Sequence, residues 1–199
     1  MSQCVRNNVS LSTTDSVVLE SRSPQPDITA YLKSVICNIR KVKCEIEDTF
    51  EPKELFEKLH AALPDSTIPD VKEIFIQDVI RLGSLFFDMT LHAKMTLQIL
   101  PVNSNMCRLF HEDYYRQRLL CTYLGPGTEW LDHDNVNRAG LGRGRNGNIV
   151  KDPSRINRAN TFDVILLKGA RSEGGFGIVH RSPPVEHTGQ IRVLLKIDE

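Results

Sequence analysis

The sequence lacks a net charge: its 199 residues carry 25 lysines and arginines against 25 acids. No global field draws such a chain to nucleic acid or to an anionic membrane, so any attraction of that kind has to be local. It also lacks a run approaching the roughly eighteen apolar residues of a spanning helix, and Met1 to Arg22 has no apolar stretch of the secretion-signal kind. The expectation is a cytoplasmic protein with no membrane partner, acting on a small-molecule or protein substrate that these residues do not name. Cysteines are few. Cys4, Cys37, Cys44, Cys107 and Cys121 are odd in number and include no Cys-x-x-Cys pair, which suits neither a disulfide framework nor a zinc knuckle. Reduced thiols are expected.

What is present divides into three stretches. Residues 1–26 are rich in Ser, Thr and Asn, show no sustained periodicity and end in Ser-Pro-Gln-Pro, which predicts a mobile or loosely docked N-terminal arm. Residues 27–94 read as a helical support region. Asp27 is placed to cap a helix whose Ile28, Leu32, Val35, Ile36 and Ile39 recur at helical spacing. Pro52 opens a second helix carrying Leu55, Phe56, Leu59 and Leu63, and a third runs from about Pro69 to Met89 with a broad apolar face.

Residues 95–199 change character to short apolar runs: 95–102, 107–114, 118–124, 161–168, 177–181 and 191–197. Several are apolar on both faces, as buried strands are, so the fold class expected is α+β, a sandwich or barrel backed by the earlier helices. In the last run Ile191, Val193, Leu195 and Ile197 share one face, predicted to pack on the helices. Arg192 then faces the interior, where an unpaired guanidinium is costly and a carboxylate is the usual remedy.

His111 and Asp113 lie two apart in a predicted strand, so both side chains leave one face within reach of one cation. His180 follows 67 residues after Asp113, at the end of another run. Two imidazoles and one carboxylate on one side of a metal leave open positions, the ligand set of non-haem Fe(II). A His-x-Asp by itself is a weak signal, and the competing reading is a surface hydrogen-bonded pair with His180 capping a turn. Arg192 separates the two readings. The turn residues of 182–190 return the chain so that Arg192 approaches His180, and a dicarboxylate could then chelate the metal at one end and meet Arg192 at the other. Cys107, four before His111, could instead complete a closed four-coordinate zinc centre.

In their order, a His-x-Asp, a distal His and an Arg on the last strand, these residues resemble the Fe(II) and 2-oxoglutarate dependent dioxygenases. Over residues 95–199 that resemblance implies a double-stranded β-helix of the jelly-roll or cupin-like kind, with metal on His111, Asp113 and His180 and the oxoglutarate carboxylate on Arg192. A closer resemblance is to a mainly bacterial family, domain of unknown function 1826. It rests on Phe110-His111-x-Asp113, on the string RLLCTYLGPGTEWL from Arg118 to Leu131, and on Val179 to Pro184. Members often neighbour zinc-responsive genes, which implies a link to metal without fixing a reaction. Non-catalytic zinc binding in metal homeostasis and a metal-free cupin-like binding module therefore stand beside the oxygenase.

Tyr123 is a candidate donor to the bound oxo-acid, the competing role being a core tyrosine with a satisfied hydroxyl. Glu129 and Arg181 are candidates for orienting the ligands. The long segment 132–160, with six basic residues against three acids, reads either as a basic flap over the site or as a solvated insertion. Its glycines lack the Gly-Lys-Ser/Thr ending of a nucleotide loop, and no strand leads into it. His60, His92, His133 and His187 have no spaced partner and read as structural or solvated.

Overall fold

The computed structural model describes residues 12–14, 17–91, 93–104, 106–172, 175–186 and 188–199. In chain order they form β1 (Ser12–Thr14), β2 (Val17–Glu20), α1 (Pro26–Val35), β3 (Val42–Ile46), α2 (Pro52–Ala62), α3 (Val71–Met89), β4 (Met95–Val102), β5 (Gln117–Leu124), β6 (Glu129–Leu131), β7 (Asn157–Arg158), β8 (Val164–Lys168), β9 (Val179–Arg181) and β10 (Arg192–Asp198). The architecture is α+β. A seven-stranded sheet, ordered β1-β2-β8-β5-β10-β4-β3, is antiparallel throughout, and a second sheet has the order β7-β6-β9.

The helices form where the apolar spacing asks for them. Proline opens α1 and α2, where its missing N–H costs no hydrogen bond. Asp27 sits inside the first turn of α1, behind an N-cap at Gln25, so it acts on the helix dipole rather than as the expected cap. α2 stops at an extended Leu63, the conformation that a following proline favours. α1 buries Ile28, Tyr31, Leu32 and Val35, α2 buries Leu55 and Leu59, and both pack on α3. This layer covers one face of the large sheet, meeting Leu97 and Ile99 of β4, Leu119, Cys121 and Tyr123 of β5, and Val193, Leu195 and Ile197 of β10. Each of these β10 side chains is fully buried and contributes about 1.5–3 kcal/mol.

Strand alternation sends the intervening residues to the other face. Leu100 and Val102, Leu120, Ile165 and Leu167, and Leu194 pack there against Trp130, Ala159 and Ile178, which belong to or flank the small sheet. The functional side chains lie in this second interior, between the two sheets.

Several expectations are corrected. Val17–Glu20, assigned to a mobile or loosely docked arm, pairs with β8 and joins the large sheet, and Arg22 beyond it bonds to Asp78 on α3. The support region is not all helix, since β3 forms the edge beside β4, burying Val42 and Cys44 and exposing Lys43 and Glu45. The run 107–114 is not a strand. Among the described residues of this run only His111 pairs, in an isolated bridge to His180; beyond it Ser182 N donates to the Cys107 carbonyl, while the Leu109 carbonyl accepts from His111 Nδ1. His92 and His187 lie outside the described residues.

Candidate metal centre

His111 and His180 exchange both backbone hydrogen bonds, 3.0 Å and 2.9 Å, which places their side chains on one side of the small sheet. Their ring centroids are 4.7 Å apart. Asp113 returns to the same place. Its Oδ1 is 3.4 Å from His111 Nε2 and its Oδ2 is 3.1 Å from His180 Nε2. One ligand atom from each residue lies within 4.8 Å of the others.

The far side of each ring fixes which nitrogen is available. His111 Nδ1 is 2.9 Å from the Leu109 carbonyl and His180 Nδ1 is 3.0 Å from the Ile178 carbonyl. A carbonyl only accepts, so both Nδ1 atoms carry the hydrogen and both Nε2 atoms, the nitrogens left for a metal, face Asp113. The electrostatics match a cation position. The bond to Asp113, then one to Cys107, raises His111 to about 10, so a proton holds the place in the metal-free arrangement. Burial pushes the Asp113 carboxyl up, but His111, His180 and Arg118 together hold it well below the usual carboxylate range.

Arg118 ties this centre to the large sheet. It is buried, with one guanidinium nitrogen on Asp113 and Nε on Asp198, and it stacks over Tyr115 at 4.2 Å. On β5, Arg118, Leu120 and Thr122 share the inner face, so Arg118 and Thr122 stand about 13 Å apart along the strand. Thr122 marks the other end of the interior, where Arg192 lies.

Arg192 has no exposed surface. Its Nη1 donates to Ser182 Oγ at 3.3 Å, its Nη2 to Thr122 Oγ1 at 3.2 Å, and its Nε has no partner. The expected carboxylate is not among its partners in the described residues. Burial lowers the guanidinium to about 10, which leaves it charged at neutral pH. Ser182 lies two residues beyond His180, just past the end of β9, so its bond to Arg192 ties the guanidinium to the segment that carries His180. The triad and Arg192 therefore open into one interior, floored by Leu100, Leu120 and Leu194. Gly125 makes room for Arg192, since a Cβ there would stand 2.9 Å from Arg192 Cγ.

Tyr123 does not join this site. It points to the helical layer, donating to Asp78 Oδ2 at 2.6 Å and packing edge-on against Phe75 and Phe162. From Arg118 to Tyr123 the odd positions of β5 face the helices and the even ones the interior, so Thr122 rather than Tyr123 meets Arg192. Cys107 sits in a turn at φ 28, exposed; it hydrogen-bonds to His111 but is not among the three residues whose ligand atoms cluster. Glu129 is buried and accepts from Arg158 at 2.8 Å and Arg181 at 2.6 Å, pinning the small sheet rather than touching the triad.

The segment 132–160 is an ordered insertion packed beside the triad. Asn135 donates to the carbonyls of Asp152 and Arg155, and Val136 pairs with Val150. Asn146 clasps Phe110 N and Arg108 O, while Arg138 reaches Glu112 and the Gly177 carbonyl. Arg118, Ser182, Thr122 and Asn146 were all missed as site residues by sequence pattern. Strand parity through β5 was the one signal that could have found Arg118 and Thr122.

A family model whose description is protein of unknown function, DUF1826, matches residues 11–198. The chain belongs to the DUF1826 family. No curated protein matches it. Among solved structures, this DUF1826 protein is similar to the Fe(II)/α-ketoglutarate-dependent dioxygenase TqaL, at TM-score 0.45 and 10% identity over 88% of this chain and 74% of that one. It is also similar to a candidate oxygenase from Shewanella oneidensis, at TM-score 0.42 and 14% identity over 92% and 81% of the two chains. A bsmA homologue from Methylobium petroleophilum gives TM-score 0.34 and 12% identity over 79% and 70%.

Proposed function

We propose that this DUF1826 protein is an Fe(II) and 2-oxoglutarate dependent oxygenase whose two sheets form a double-stranded β-helix. The observation that carries the reading is Arg192, a fully buried cation with two hydroxyl partners, opening into the same interior as a two-histidine, one-carboxylate cluster. A buried charge without a counter-ion costs several kcal/mol, and a dicarboxylate anchored at the triad supplies the missing one.

The donor set fits ferrous iron: two imidazole nitrogens with fixed tautomers and one ionised carboxylate leave the remaining positions open. His111, Asp113 and His180 would hold the metal. With 2-oxoglutarate and dioxygen bound, iron would supply an oxidative decarboxylation in which one oxygen atom of O2 enters succinate as carbon dioxide leaves and the other is inserted into a C–H bond of the substrate. Arg192, assisted by Ser182 and Thr122, would grip the distal carboxylate. Arg118 holds the Asp113 carboxylate in place. Leu100, Leu120, Leu194 and Trp130 exclude water from the interior.

The test is anaerobic purification followed by metal analysis, 2-oxoglutarate binding and succinate production with added Fe(II). The wild type is expected to bind the oxo-acid and form succinate, His111→Ala to lose metal, and Arg192→Ala to keep metal while losing the oxo-acid. Tight zinc with no oxo-acid binding would overturn the reading. One observation favours that second reading: the Cys107 thiol bonds to His111, and a modest rearrangement of its turn would bring sulfur to the metal. Cys107→Ser separates the two, since only a zinc centre that includes this sulfur loses affinity.

A further inference from the structure

The zero net charge of the chain conceals a local excess. Many cations are paired: Lys58 with Glu54, Lys72 with Asp65, Lys94 with Glu47, Arg155 with Asp134, and beside the triad Arg118 with Asp113 and Arg138 with Glu112. Three on the rim of the triad are not. Arg108, Arg143 and Arg145 are exposed, and none has a carboxylate partner among the described residues. They stand on the turn before His111 and on the insertion that Asn146 and Arg138 fasten to that turn.

The same rim exposes two aromatic rings. Tyr114, next to Asp113, is 78% exposed, and Phe176, next to Gly177, is 61% exposed. Each is already stacked by a guanidinium, Arg171 lying 5.7 Å from the Tyr114 centroid and Arg138 4.3 Å from that of Phe176. Backbone bonds fix both beside the triad: Ala170 N donates to the Asp113 carbonyl and Gly177 N to the Glu112 carboxylate. Rings left in water with cations around them suit a ligand that offers both flat π faces and anions. The arginines stand on separate loops rather than lining one enclosed phosphate pocket, which favours an extended ligand over a free nucleotide.

We propose that the rim around His111, Asp113 and His180 is a binding platform for single-stranded nucleic acid, its bases stacking on Tyr114 and Phe176 and its phosphates meeting Arg108, Arg143 and Arg145. Binding itself stands on these contacts. Its role as substrate rests on the oxygenase reading.

The full-length protein, without added iron or oxo-acid, is titrated into a fluorescent oligothymidylate, with thymidine monophosphate, heparin and polyglutamate as comparisons. The oligonucleotide is expected to bind best. Tyr114→Ala and Phe176→Ala should each weaken it by about tenfold. Arg143→Ala with Arg145→Ala should flatten the slope of log affinity against log salt by about 1.4, or about 0.7 for each lost phosphate contact. Lys53→Ala, on the exposed side of α2, should change neither. No binding, equal binding of heparin or polyglutamate, equal binding of the mononucleotide, or indifference to both aromatic substitutions would each overturn the platform. Stimulation of succinate formation by the oligonucleotide is read separately, so a protein that binds the strand without turnover refutes the oxygenase and leaves the platform standing.

Discussion

Replacing Arg192 by methionine removes a buried cation and leaves a side chain of similar length among Leu100, Val102 and Leu194. Because the guanidinium has only hydroxyl partners, the ligand-free Arg192→Met protein is expected to be more stable than the wild type by about 1–4 kcal/mol, read from denaturant midpoints. The same change should raise the dissociation constant for 2-oxoglutarate by roughly 10–150-fold, the loss of charge-assisted hydrogen bonds. Tyr123→Phe is the opposite case. It removes a bond to the buried Asp78 carboxylate and should cost about 1.5–3 kcal/mol while leaving oxo-acid affinity unchanged in the same titration. At His111 the sign follows from the raised proton affinity. The bond to Asp113, its largest cause, takes the ring to about 10, so at pH 7 the incoming metal must displace a proton from Nε2. Metal affinity should therefore climb by up to tenfold per pH unit from neutrality toward that value, with about one proton released per ion. Calorimetry in buffers of different ionisation enthalpy measures both.

At the scale of elements, the triad depends on a turn that has no ladder of its own. Asn146 stands in for it by bonding Phe110 N and Arg108 O. Asn146→Ala leaves those groups without partners and should cost about 1–3 kcal/mol, with weaker metal binding than any change at the exposed Asn148. That dependence was not legible in the sequence, where Cys107 to Tyr114 reads as one more apolar run. The long helices and β4, β5 and β10 were legible because each repeats its period over enough residues to be distinctive, and β8 because its short run is apolar on both faces. β2 and β3 were not. Four or five residues at or next to a sheet edge carry too short an alternation to stand out from a loop. Within β5 the period was readable but its phase was not, and a shift of one residue exchanges Tyr123 for Thr122 at the site. The clustering of His111, Asp113 and His180 and the burial of Arg192 were legible because residue type and spacing both point there. Arg118 has no such restriction until Asp113 and Asp198 are seen to share it.

For the molecule as a whole, the large sheet is a wall with a different interior on each side. Substitution on the helix-facing side should act on stability alone: Leu195→Ala is expected to cost about 2–5 kcal/mol, with the oxo-acid affinity of the folded fraction unchanged. The other interior answers to its ligands. An anion that neutralises Arg192 binds the native chain and not the unfolded one, so at a hundredfold excess over its dissociation constant it should add about 2.7 kcal/mol of stability, read as a rise in Tm. Thr122 and Ser182 give that cation dipoles but no charge, and the deficit lasts as long as the interior holds no anion. A cell short of the oxo-acid would then hold less of the protein itself, because chains that leave the native state are open to proteolysis. On the oxygenase reading, the uncompensated guanidinium would make the protein's lifetime a record of its cosubstrate supply.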